Sequence, residues 1–423
     1  MKILALVLFI LMYIVMVARQ KYRPHAAMAV AALYLVTGIL PVGQVISSIN
    51  WNVLMMISGT MILVDYFIAS GMPLLMADLI MEKSKNVMWI IILMSLFAGL
   101  ISAFIDNVAT VLMVAPIGMA VCRKLKINPV PMIFSIAVSS NLQGAATLVG
   151  DTTSILLGSY ANMDFLDFFF MQGRPGIFFA VELGALATIP IMRFEFRHLT
   201  QETLVTERTQ VKSLWPSFLL LAMISLLIGA SFIPGKPEIS NGIICLGLAG
   251  LALLGDRVKT GEREGVRRAL RSLDTETLFL LLGLFIVIAG VTQVGLIEDL
   301  TRLIAEVGGS HLFWLYSLVV WGSVLISAFV DNIPYVATML PVLTGLATRL
   351  GISPYILYFG LLTGATLGGN LTPIGASANI TAVGLLKKEG YETGFADFMK
   401  VGVPYTLAAV LAGYLYTWFV WAG

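Results

Sequence analysis

Apolar residues run along the chain in blocks separated by short polar stretches, and most blocks have the length of a membrane-crossing helix. They fall at about 3–18, 25–47, 52–70, 88–105, 108–122, 130–160, 175–192, 214–233, 240–254, 275–292, 311–329, 333–348, 355–386 and 402–422. A crossing helix needs roughly 20 apolar residues. Residues 88–122 and 311–348 are different: each is two apolar arms meeting at a polar tip, Asp106-Asn107 and Asp331-Asn332. Each pair reads either as two spans joined by an external turn or as a re-entrant hairpin whose tip stops near the midplane.

Composition decides the solvent. Of 423 residues, 58% are hydrophobic and 12% charged, and mean hydropathy is +0.92. Soluble domains carry about 25% charged residues, so a water-soluble globule is excluded, and so is a disordered chain. The expectation is an all-α polytopic membrane protein embedded in a lipid bilayer. The basic cluster Arg19, Lys21 and Arg23 follows the first apolar block with no small-residue cleavage site between. Residues 3–18 therefore read as a retained helix rather than a signal peptide.

An internal repeat organises the rest. The run Ile101-Ser102-Ala103-Phe104-Ile105-Asp106-Asn107 returns as Ile326-Ser327-Ala328-Phe329-Val330-Asp331-Asn332, an offset of 225. The same offset pairs Pro116 with Pro341, Gly144 with Gly369, Thr147 with Thr372 and Gly150 with Gly375. Shifted by one, it pairs Gly59 with Gly283 and Gly71 with Gly295. This reads as a tandem duplication: a first repeat over 1–200 with hairpin 88–122, a cytoplasmic linker over 201–213, and a second repeat over 214–423 with hairpin 311–348.

With both tips re-entrant, each half has five crossings, and an odd number inverts the second half relative to the first. About ten transmembrane helices and two hairpins result. With the N-terminus outside, 21 of the 26 Lys and Arg fall on the cytoplasmic side, as positive-inside topology requires. Counting 88–122 as two full spans would move Arg123, Lys124 and Lys126 outside and invert all that follows. The first hairpin then opens inward, the second outward, and both termini lie outside the cell (inner) membrane. Stretches 73–83, 296–307 and 386–400 read as amphipathic helices along the bilayer surface.

Inverted repeats with interrupted helices are transporter architecture, with the site at the midplane. The candidate residues are Asp106 and Asn107; Gly144, Thr147, Gly150, Asp151, Thr152 and Ser154; Asp331 and Asn332; and Gly369, Asn370, Thr372, Gly375, Ser377 and Asn379. Glycines uncouple the helix, and the freed carbonyls need an ion, a substrate or a facing polar group. Carboxylates at bilayer depth cost about 2.5–3.5 kcal/mol on insertion scales. Asp106, Asp331 and Asp151 are therefore the proton-carrier candidates, although N-capping of the following half-helix would also explain the two tip residues. Ala376 replaces Asp151 in the second repeat. Asp65 reads as a residue snorkelling to the inner surface, and Glu182 as a weaker relay candidate. Cys122, Cys245 and the three histidines show no ligand spacing, so no metal and no cofactor is expected. GxxxxGK[ST] and HExxH are absent, there is no nucleophile–base constellation, and neither an enzyme nor a nucleic-acid partner is expected.

The motifs Ser102–Val108, Ala328–Pro334 and Gly368–Asn379 resemble the ion transporter superfamily, in the branch of arsenite permeases, NhaD-type sodium/proton antiporters and the melanosomal P protein. One departure is that Gly150-Asp151-Thr152-Thr153-Ser154 lacks the prolines and the asparagine usual in the first repeat of that family. The resemblance implies a transport domain moving like an elevator against a scaffold, often in a homodimer, with a small inorganic solute or ion as substrate. Fixed negative charge at both tips disfavours an anion. The expected function is proton-coupled antiport exporting arsenite or antimonite. The alternatives are sodium/proton antiport, sodium-coupled dicarboxylate transport, and an ion channel, which would bring in a cytoplasmic ATPase partner.

Overall fold

The computed structural model describes residues 1–201, 208–260, 264–308 and 311–423. Residues 202–207 of the linker and the basic residue Arg263 lie outside the described residues. The first half forms α1 (Lys2–Ala18), α2 (Arg23–Val36), α3 (Val45–Ser48), α4 (Trp51–Ala69), α5 (Met72–Lys83), α6 (Val87–Ser102), α7 (Asn107–Leu125), α8 (Val130–Gly144), α9 (Thr152–Tyr160) and α10 (Ile177–Phe196). The second forms α11 (Trp215–Ser231), α12 (Ser240–Thr260), α13 (Glu264–Arg271), α14 (Thr275–Gln293), α15 (Leu296–Gly308), α16 (Leu312–Ser327), α17 (Asn332–Leu350), α18 (Tyr355–Leu362), α19 (Ser377–Lys388) and α20 (Phe395–Trp421). Among the described residues the strand content is one two-residue antiparallel pairing, Phe170–Met171 with Arg174–Pro175.

The protein is an all-α polytopic membrane protein. Among the described residues seven helices are long and apolar enough to cross a membrane: α4, α7, α10, α12, α14, α17 and α20. The shorter helices α1, α6 and α11 are also apolar. Large apolar side chains point outward, Phe419 at 80% exposure and Leu325 at 67%, which fits a lipid surround better than water. Polar side chains start the helices. Asn50 and Asn86 accept from the amides of Val53 and Trp89, both at 3.1 Å, so the first turn keeps its orphan donors satisfied.

Two interhelix contacts set the frame. α4 packs against α12 and α2 against α14. Gly59 lies on the backbone of Cys245, and Gly283 on the backbone of Ala27, so a Cβ at either position would overlap main-chain atoms. Small residues at such crossings let helices approach closely. Beside this frame, α6, α7 and α8 pack together, α10 lies along α20, and α20 covers α8 and α18.

The amphipathic segments at 73–83 and 296–307 are helices α5 and α15. The third, expected over 386–400, is not a helix. α19 ends at Lys388, Gly390 takes a left-handed φ of 85°, and α20 starts afresh at Phe395 behind Gly394. Two glycines outweigh the polar–apolar rhythm there. The described end of the linker is pinned to α5: Thr209 N donates to Asp78 Oδ2 at 2.8 Å, and Arg208 forks onto the Glu82 carboxylate.

Candidate functional site

Each polar tip is a helix cap. α6 stops at Ser102, and Asp106 Oδ1 accepts from the amides of Val108 at 3.0 Å and Ala109 at 3.1 Å to start α7. In the second half Asp331 Oδ1 accepts from Ile333 N at 3.0 Å and starts α17. Its other oxygen does more. Asp331 Oδ2 is ion-paired with Arg23 Nη1 and accepts from Ser377 Oγ at 3.1 Å. The Asp331 side chain is 2% exposed and that of Arg23 16%.

The two breaks follow α8 and α18. α8 ends at Gly144 and helix resumes at Thr152; α18 passes into a π turn over Thr363–Leu367, then a 3₁₀ turn over Gly369–Leu371, before α19. Thr147 Oγ1 donates to Ala103 O at the first tip, and Thr372 Oγ1 to Ala328 O at the second. Each hydroxyl then receives the amide two residues on, Val149 N and Ile374 N, both at 3.4 Å. Carbonyl oxygens crowd the two glycines. A Cβ on Gly150 would collide with Ser102 O, Ala103 O and Gly144 O, and one on Gly375 with Ser327 O, Ala328 O and Gly369 O. These close approaches are why glycine sits at both positions.

Asparagines join the halves at the centre. Asn107 Nδ2 donates to Asn141 Oδ1 at 2.9 Å. Asn141 Nδ2 donates onward to Thr366 O at 2.8 Å and Asn370 Oδ1 at 3.1 Å. Asn370 Nδ2 donates to Val138 O at 3.3 Å. Alongside, Thr153 Oγ1 donates to Asp151 Oδ2 at 2.8 Å and lies 2.9 Å from Thr366 Oγ1. Asn379 Nδ2 donates to the carbonyls of Gly369 and Thr372 at 3.3 and 3.2 Å. Asn379 Oδ1, Asn332 Nδ2, Ser154 Oγ and Ser102 Oγ are buried with no hydrogen-bond partner. Thr152, also buried, opens α9. The helices after the breaks then cross over: α9 packs on α17, and α19 on α7 and α8.

Every candidate from the motifs thus lies at a tip, in a break or in the turn that follows one. Asp65 and Glu182 do not join them. Asp65 Oδ2 accepts from Arg268 Nε at 2.9 Å, and Glu182 lies on α10 with Oε1 buried and unpartnered. Three residues escaped the sequence reading: Asn141, Thr366 and Arg23. Asn141 and Thr366 occupy equivalent positions at offset 225, but as unlike residues they gave the repeat no match there.

A cavity of about 210 Å³ opens beside this network. Val108 and Ile333, the second residues of α7 and α17, both line it, so both hairpin helices present their N-termini there. Arg23, Asp331, Ser377, Asp274 and Glu276 line it as well. One guanidinium thus faces three carboxylates, while the helix N-termini add partial positive charge. Among the described residues no three His, Cys, Asp or Glu side chains cluster as a metal site.

Comparison with known proteins places this geometry. Residues 7–364 match the family model described as CitMHS, citrate transporter. The chain is 30% identical to a 46 kDa membrane protein of Mycobacterium leprae over 430 residues, 99% of this chain and 98% of that one. It is 26% identical to the human P protein, covering 96% of this chain and 58% of the P protein. Its fold is similar to the YdaH transporter of Alcanivorax borkumensis, with TM-score 0.59 at 17% identity, covering 90% of this chain and 86% of that one. It is also similar to Neisseria gonorrhoeae MtrF, with TM-score 0.56 at 18% identity, covering 92% and 83%. The capped tips, the broken helices and this match over most of the chain lead to one conclusion: the chain belongs to the CitMHS citrate transporter family and is a membrane transporter.

Proposed function

We propose that the chain is a secondary active, proton-coupled antiporter of the inner membrane, working by elevator-like alternating access. The observation that carries this reading is the cavity where both hairpin helices begin, between the α2–α14 frame and the tip of the second hairpin. Repeats over 1–200 and 214–423, inverted with both termini outside, put Arg23 and the start of α14 on the cytoplasmic side. The cavity then opens inward. Asp331, Asp106 and Asp151 are the proton carriers, and Asn107, Asn332, Thr147, Thr372, Ser377 and Asn379 supply neutral oxygens and amides.

Cavity charge selects the solute. Three carboxylates against one guanidinium repel a free polyanion in a low-dielectric site and favour a proton, a cation or a neutral hydroxide. Arsenous acid, neutral at physiological pH, is the first substrate on this reading, and sodium/proton exchange uses the same groups. A second reading, citrate, is favoured by the description of the family model and by the planar fork of Arg23, which suits carboxylates. Purified protein in proteoliposomes with an imposed proton gradient, offered arsenite, sodium and citrate in parallel, tests both. Uptake of citrate alone would replace the first reading by the second, and currents scaling as a conductance would contradict a carrier.

A further inference from the structure

Arg23 and Asp331 start different helices, α2 and α17, which both pack on α14. Arg23 starts α2, which packs on α14, and its Nε donates to Gln20 O at 3.2 Å. Asp331 starts α17 in the second hairpin. The same N-terminal corner touches that hairpin and its break twice more, without charge. Tyr13 OH donates to Pro334 O at 2.8 Å and lies 2.7 Å from Thr338 Oγ1, and Gln20 Nε2 donates to Ile374 O at 3.1 Å. The two tips differ in one respect. Asp106 makes no ion pair among the described residues, whereas Asp331 holds the half-buried guanidinium of Arg23. Arg23, Asp331 and Ser377 all line the cavity, so a solute entering it meets the pair directly.

We propose that Arg23 is the resident counter-cation of Asp331, released only when a proton or a transported cation takes its place. The inference rests on the carrier reading above. Leaving the buried Asp331 carboxylate without a counter-charge is strongly disfavoured, so the second hairpin separates from the N-terminal corner only when loaded. Coupling is thereby enforced, because the empty site is held shut by a charge the protein supplies itself. Asp331 is faced by Arg23 on α2, by Asp274 and Glu276 at the start of α14 and by Asp151 in the other half, while Tyr13 on α1 bonds further along α17, at Pro334 and Thr338.

Carbodiimide labelling of the full-length protein in nanodiscs tests this without knowledge of the substrate. Dicyclohexylcarbodiimide modifies protonated carboxyls in apolar surroundings, and peptide mass spectrometry reads Asp331 and Asp106 separately. In Arg23→Gln, Asp331 labels at least tenfold faster at pH 7 and its profile moves to higher pH, while Asp106 is unchanged. Arg23→Lys falls between. In proteoliposomes Arg23→Gln raises the proton leak without substrate at least fivefold, and Arg23→Gln/Asp331→Asn abolishes that leak. The double variant buries no lone charge, so it reports on the leak even where the single variant folds poorly. An unchanged rate and profile at Asp331, or an unchanged leak, overturns the proposal. Failure of the carrier reading looks different: wild-type protein would move none of the offered solutes while the labelling shift persisted.

Discussion

Asn141 and Asn370, 229 residues apart in the chain, meet at the middle of the molecule, where Asn141 Nδ2 donates to Asn370 Oδ1 at 3.1 Å. The same amide nitrogen also serves Thr366 O at 2.8 Å, and its carbonyl oxygen receives Asn107 Nδ2 at 2.9 Å. One side chain thus ties a hairpin tip and the opposite break together. Asn141→Ala leaves buried polar groups on Asn107 and Asn370 unpaired, each worth about 1–3 kcal/mol. A fall of several degrees in the Tm of the purified protein is expected. Asn141→Asp should be worse, because a carboxylate would face two acceptor oxygens with no donor to offer. An aspartate variant as stable as wild type would refute the assigned bonding.

The glycines at the breaks make a prediction with an internal control. Gly150→Ala and Gly375→Ala each place a methyl against three carbonyl oxygens. Overpacking of this kind costs about 1–3 kcal/mol. Gly229→Ala in α11 meets nothing within 4 Å and gains helix propensity of about 1 kcal/mol. Thermal unfolding should rank Gly229→Ala at or above wild type and both break variants below it.

Capping and proton carriage at Asp106 separate by choice of substitution. Asparagine retains the oxygen that accepts from Val108 and Ala109, so Asp106→Asn should keep stability near wild type. Asp106→Ala loses the cap, typically about 0.5–2 kcal/mol. If Asp106 also carries a proton, Asp106→Asn abolishes proton flux at unchanged Tm. A purely structural cap would leave that flux intact.

Where the linker meets α5, Arg208 holds the Glu82 carboxyl below the usual carboxylate range through its hydrogen bonds. A depressed carboxyl stabilises the contact above its ordinary titration range, and that contribution is lost as pH falls through the folded value. Both groups are exposed, so global stability should not change. Hydrogen exchange over residues 208–212 should quicken on acidification relative to Glu82→Gln, and high salt should narrow the difference. Equal exchange in the two proteins at every pH would contradict the pairing.

What the sequence made legible follows from how expensive polar groups are in lipid. Asp106, Asp331, Gly150 and Gly375 stood out because an apolar helix has no other use for them, and all four lie at the tips and breaks. Asn141 was hidden because a single amide inside a helix carries no local signal, and its partners Thr366 and Asn370 are more than 200 residues away. Arg23 was counted with the cytoplasmic charges for the same reason, since its partner Asp331 lies 308 residues further on. That pairing changes the electrostatic argument. One tip carries its own cation, so the unpaired negative charge of the cavity comes from Asp274 and Glu276 rather than from Asp331. The helix expected over 386–400 failed for a local reason, the glycines at 390 and 394.

The central claim is a carrier coupled through Asp331, and proton flux in proteoliposomes tests it most directly. Vesicles with an internal pH dye and an imposed gradient, offered arsenite, sodium or citrate, should show solute-dependent proton movement for the wild-type protein. In Asp331→Asn, reconstituted to the same density, that movement should vanish while binding-induced changes in Tm persist. Full solute-dependent proton flux in Asp331→Asn would contradict the account.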